Sequence, residues 1–142
     1  MIRWIRRIFQ LLVESDLLRQ GVYPTSANGV AAAAQLIAAA AAAWTWGAWT
    51  QIVLGAGVAA ETQILGFSLE NYVGAPAQGE VEIGYGVAPN GVLLGTFQTA
   101  WAGSLLPRPI RIPAGVGIVA RYRTATGIAD TVDIKLNTLT GF

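Results

Sequence analysis

From residue 49 onward, short runs of β-branched and aromatic residues are broken by Gly, Pro and Asn about every ten residues, a spacing that predicts strands and turns. The predicted strands are TQIVL (50–54), TQILGFSLENY (62–72), GEVEIGYGV (79–87), GVLLGTFQT (91–99), RPIRI (108–112), GIVARYRTA (117–125) and DTVDIKLNT (130–138). A period of two is clearest in two of them. Val81, Ile83, Tyr85 and Val87 fall on one face, with Glu80, Glu82 and Gly84 on the other; Val132, Ile134 and Leu136 likewise oppose Thr131, Asp133 and Lys135. Strands of this kind bury one face and wet the other. Pro89, Asn90 and Gly91 mark a turn, and Pro107, Pro109 and Pro113 confine residues 108–112 to an edge or a short crossing segment. With one more extended stretch inside residues 29–44, the count is about eight strands, which predicts an all-β, jelly-roll-like antiparallel β-sandwich.

The first twenty residues follow a different period. Ile5, Ile8, Phe9 and Leu12 stand at the i, i+3, i+4, i+7 spacing of a helix, Trp4 and Leu11 widen the stripe, and Arg3, Arg6, Arg7 and Gln10 fall largely elsewhere. Gly21 supplies a stop and Pro24 prevents continuation. The chain therefore divides into an amphipathic helical arm (1–21), a linker and alanine-rich segment (22–43) and a β-sandwich domain (44–142). As a signal peptide the arm fails, because its apolar run from Ile8 to Val13 is short and is followed by Glu14, Ser15 and Asp16. A membrane-surface helix is one alternative. Docking onto a partner is preferred, since a short helix tethered before a TSANG stretch needs a packing surface. The residues expected to make that contact are Trp4, Ile5, Ile8, Phe9 and Leu12.

Residues 29–50, GVAAAAQLIAAAAAAWTWGAWT, approach the length of a membrane span. Most of them are alanine, which removes little apolar surface from water, and no Lys or Arg flanks the run to orient it. Alanine favours helix, yet WTWGAWTQIV alternates in strand fashion, so residues 38–43 are read as entering the first strand.

Composition narrows the chemistry. The chain has 142 residues, one domain's worth, of which only 12% are charged against about a quarter in ordinary domains. With 17 glycines as well, the surface is apolar enough to call for cover, which points to a homo-oligomer. There is no cysteine and no histidine, so disulfides, thiol chemistry and the commonest general base and zinc ligand are excluded. A net charge of +1 gives no general attraction to nucleic acid.

No residue pattern defines a catalytic, cofactor or metal site. Glu80 with Glu82 and Asp130 with Asp133 are candidate carboxylate pairs for glycoside hydrolysis, but acids on a wet strand face need no catalytic role. GAGVAA lacks the third glycine and the βαβ setting of a dinucleotide fingerprint. Arg108, Arg111, Arg121 and Arg123 lack interleaved surface aromatics and are read as ion-pair partners of acids on neighbouring strands or subunits. Ser, Thr and Lys nucleophiles have no base beside them.

The succession AAWTWGAWTQIV, TQILGFSLEN, GEVEIGYG and LPRPIRIPAGVGIVARYRTATGIADTVDIKL resembles small jelly-roll virion proteins of tailed bacteriophages, a group of capsid decoration proteins and appendage bases. The resemblance covers residues 40–138 and rests most on IPAGVGIVARYR, a proline-glycine turn leading into a strand with outward arginines. It implies a non-enzymatic virion protein, commonly a trimer, that binds capsid or appendage subunits, and it brings no active-site residues. The N-terminal helix and the alanine-rich segment depart from that pattern. Two other readings stand beside it: a carbohydrate-binding module of a phage appendage using Trp44, Trp46, Trp49 or Trp101 as stacking platforms, and a membrane-surface protein held by the arm.

Overall fold

The computed structural model describes residues 19–24, 34–74, 78–99, 103–126 and 129–141. Nine strands run through them: β1 (Arg19–Tyr23), β2 (Gln35–Ala38), β3 (Thr50–Val53), β4 (Thr62–Val73), β5 (Gly79–Val87), β6 (Asn90–Gln98), β7 (Gly103–Ile112), β8 (Ile118–Thr124) and β9 (Thr131–Thr140). One sheet has the order β1-β9-β4-β7, with β2 also on β9, and the other β3-β8-β5-β6. Each of these pairings is antiparallel.

β1 and β2 share one edge of β9, where Tyr23 faces Leu136 and Gln35 faces Ile134, so they form one row in two pieces. Eight of the nine match the predicted strands, β2 being the extended stretch inside residues 29–44, and β1 is a ninth that was not expected. Every connection from β2 onward changes sheet except the β5–β6 hairpin, a jelly-roll-like winding. Among the described residues β7 pairs only with β4, as its two prolines, Pro107 and Pro109, require, since proline cannot donate to a second neighbour.

One core lies between the sheets. Ile64, Phe67 and Ile134 from the first sheet meet Ile83, Ile118 and Tyr122 from the second, each at most 2% exposed. The predicted alternation in β9 holds, with Val132, Ile134 and Leu136 buried and Thr131, Asp133 and Lys135 only partly covered. In β5, Val81 and Ile83 are buried, whereas Tyr85 and Val87 carry the same face beyond the core and are 39% and 65% exposed. In β4 the register shifts between Ile64 and Gly66 against both neighbours. Against β9 Leu65 is the extra residue, and it moves the inward positions from Thr62 and Ile64 to Phe67 and Leu69; against β7 the extra residues are on β7, between Leu105 and Ile110.

Three sequence expectations need correction. Arg19, Gln20 and Gly21 are strand and not the end of a helix, because the C-terminal half of β9 offers an open backbone edge that they pair with. Residues 1–18, with the predicted contact residues Trp4, Ile5, Ile8, Phe9 and Leu12, lie outside the described residues. Residues 22–43 are not simply a linker, since Val22 and Tyr23 belong to β1 and Gln35–Ala38 is β2. Finally, residues 39–43 do not enter a strand: β2 ends at Ala38, and a turn at residues 41–44 carries the chain to the second sheet. Glycine is needed at position 47, because a Cβ there would stand 1.8 Å from the carbonyl oxygen of Ala38. Among the described residues, no helix is long and apolar enough to cross a membrane.

Candidate functional site

The second sheet turns Val119, Arg121 and Arg123 of β8 to its outer face, and the register sets them opposite Gly84, Glu82 and Glu80 of β5. The facing charges pair. Arg121 Nε donates to Glu82 Oε2 at 2.5 Å, and Arg123 donates to Glu80 Oε2 from Nε at 2.7 Å and from Nη2 at 2.5 Å. Thr96 of β6 adds a hydroxyl donor to Glu82 Oε1 at 3.2 Å.

The segment before β3 covers this row. Trp44 N–H donates to the Thr124 carbonyl at 2.7 Å and Gly47 N–H to the Tyr122 carbonyl at 2.9 Å, so residues 44–49 run along the edge of β8. Their indoles interleave with the arginines. The Arg121 guanidinium lies 4.4 Å from the Trp49 ring and 5.1 Å from Trp46; that of Arg123 lies 4.3 Å from Trp46 and 5.7 Å from Trp44. The result is a ladder in the order Trp49, Arg121, Trp46, Arg123, Trp44. Gly84 and Gly91 leave the seat for Trp49, since a Cβ on either would come within 3.0 Å of its ring. Covered in this way, Glu82 is only 5% exposed and Val119 is fully buried.

Trp44 ends the ladder. It is 44% exposed and adopts φ 55°, a left-handed backbone that costs a bulky residue about 1–2 kcal/mol. Beside it lies a groove of 220 Å³ lined by Trp44, Gln78, Gly79, Glu80 and Gln98.

A second polar group sits under the opposite face of β8. The Thr124 hydroxyl donates to Asp130 Oδ2 at 2.8 Å and Thr126 donates to the same oxygen. Asp130 Oδ1, the Tyr122 hydroxyl and the Thr99 hydroxyl are buried with no hydrogen-bond partner among the described residues. Burial pushes the Tyr122 phenol up to about 12.

Each carboxylate weighed as a catalytic candidate has a structural partner. Glu80 and Glu82 hold arginines, Asp130 holds threonine hydroxyls, and Asp133 accepts from Asn71 Nδ2 at 2.8 Å. The reading of Arg121 and Arg123 as partners of acids on a neighbouring strand is correct. Arg111 pairs with Glu61 at 3.3 Å on the other sheet, so the arginines do not form one patch. The expectation of no interleaved aromatics fails, because three tryptophans separate and flank the two arginines. The signal was in the sequence: Arg-x-Arg and Glu-x-Glu on adjacent strands put like residues on one face, and WTWGAW supplies the covering rings. Trp101 lies outside the described residues.

The sequence matches no family model and no curated protein.

Proposed function

We propose that the chain is a non-enzymatic structural protein of a tailed-phage virion, which associates with copies of itself and binds capsid or appendage subunits. The observation that carries this reading is the β5–β6 hairpin. Tyr85, Val87, Val92, Leu93 and Leu94 are between 36% and 65% exposed, and β6 pairs only with β5, so its other backbone edge is open among the described residues. Tyr85 stands directly opposite Val92, and Tyr85 and Leu94 line one pocket with Arg111, Ile112, Pro113 and Val116, of which Arg111 alone is charged. An open strand edge that is also apolar is a template for another chain. The jelly-roll-like winding and the IPAGVGIVARYR turn support the virion assignment, and the resemblance supplies the trimer.

In this reading residues 1–18 form the anchoring arm, with Trp4, Ile5, Ile8, Phe9 and Leu12 on the attached face. The arm joins the domain at Arg19, which faces Thr140. The test is co-sedimentation with particles of the full chain, a chain lacking residues 1–18, and Leu93→Lys. Loss of attachment in the first variant and of self-association in the second, with melting unchanged in both, supports the proposal. Unchanged attachment and self-association in both would sink it.

A further inference from the structure

The end of the ladder has the makings of a ligand site that the assembly role does not use. Trp44 is held in a left-handed backbone and is 44% exposed, and among the described residues only Arg123 stacks on its ring. A core tryptophan would have its ring covered, and a surface position at this φ ordinarily takes Gly or Asn. Keeping a large ring there, at a conformational cost, puts an apolar platform at the mouth of a groove.

The other walls of that groove are polar. Gln98 stands opposite Glu80 in the β5–β6 register, and the Gln78 carbonyl is tied to Ala125 N–H at 3.2 Å. Both hydrogen bonds from Arg123 to Glu80 go to Oε2. Two amides that both donate and accept, a carboxylate oxygen that accepts, and one aromatic face make a mixed lining. We propose that this groove binds a neutral saccharide, one ring of which stacks its C–H face on Trp44 while its hydroxyls bond to Gln78, Gln98 and Glu80.

Hydroxyls fit here because each donates and accepts, as the amides require, and because an aromatic ring packs on the apolar face of a sugar. Charge decides against an acidic sugar. Arg123 is already neutralised by Glu80, so a carboxylate ligand would meet the Glu80 oxygen with no cation to spare. Size limits the ligand as well. A groove of 220 Å³ lies below the roughly 300 Å³ at which pockets for drug-sized ligands begin, so it takes a single ring, and further rings of a glycan would lie along the surface.

The experiment titrates the full chain with the methyl glycosides of glucose, galactose, mannose and N-acetylglucosamine, and with N-acetylneuraminate, following tryptophan fluorescence and heat. We expect at least one neutral glycoside to bind with a Kd in the millimolar range, the strength of a single exposed ring contact with a few hydrogen bonds. Gln98→Ala should raise that Kd about tenfold with its melting temperature unchanged, and Trp44→Ala should remove detectable binding. Because Gln98 is an exposed side chain, its variant keeps the test sound even if Trp44→Ala disturbs the fold. The inference is overturned if no neutral glycoside binds at about 10 mM, if N-acetylneuraminate alone binds, or if both variants bind as the parent does. Self-association is measured separately by mass, so the assembly reading stands or falls apart from this one.

Discussion

Arg123 grips Trp44 at two points: its guanidinium lies 5.7 Å from the ring centroid, and its Nη1 donates to the Trp44 carbonyl at 3.4 Å. The same guanidinium is fixed from the other side by Glu80. One strand pairing, β5 with β8, therefore determines where an indole in the preceding crossing segment comes to rest. The ladder is the means by which an outer sheet face, expected to be wet, becomes a covered layer.

The ladder should contribute unequally along its length. Trp46 lies between two guanidiniums and is half-buried, whereas Trp44 stacks on one and is exposed. Cation–π contacts contribute about 0.5–2 kcal/mol each, so Trp46→Ala should cost about 2 kcal/mol or more in urea denaturation and Trp44→Ala about 1 kcal/mol. The ion pairs should rank the same way. Glu82→Gln leaves Arg121 unneutralised beneath the rings and should cost about 2 kcal/mol, because the Glu82 side chain is only 7% exposed. Glu61→Gln, in a pair whose side chains are 67% and 47% exposed, should cost less than about 0.5 kcal/mol. Equal costs for Glu82 and Glu61 would mean that the rings do not shield the pair.

β9 gives a sharper test of register. Val132→Asp and Ile134→Asp each put a carboxylate at a site with no exposure, a cost of several kcal/mol that rivals the stability of a small domain, and both should abolish soluble expression. Lys135→Ala removes a partly exposed pair with Glu70 and should change stability by less than about 1 kcal/mol. Soluble yield and thermal melting of the three variants check this; similar yields would place β9 in the wrong register.

What the sequence disclosed follows from the range of each interaction. The rows at β5 and β9 were legible because an apolar residue at every second position has one meaning on a pleated strand. β1 was not, because RQG follows a helical stripe and Gly21 reads as its stop, and RQGVY becomes a strand only through pairing with β9, more than a hundred residues away. The alanine run was ambiguous for the same reason: Gln35–Ala38 becomes a strand only by pairing with Thr131–Ile134 of β9, a contact without local signature. The ladder was half legible. Arg121 and Arg123 were rightly matched to strand acids, but a charged strand face reads alike whether water or an indole covers it.

Alkaline pH offers an independent probe of the interior. Burial raises the Tyr122 phenol from 10.0 to about 12, so the folded state disfavours the phenolate. A raised folded value means that the stabilisation is complete below pH 10 and is lost as pH rises toward 12. Tyr122→Phe should therefore lose less stability than the parent between pH 10 and pH 12. Parallel pH profiles for the two proteins would contradict this.

The central claim, that the chain assembles with copies of itself through an apolar open edge, is tested most directly by its native mass in solution. Sedimentation equilibrium of the full chain at micromolar concentration should give an integral multiple of 14.9 kDa, three if the trimer is right, and Leu93→Lys should shift that mass toward a single chain. A parent protein that sediments as one chain across the whole concentration range would contradict the account.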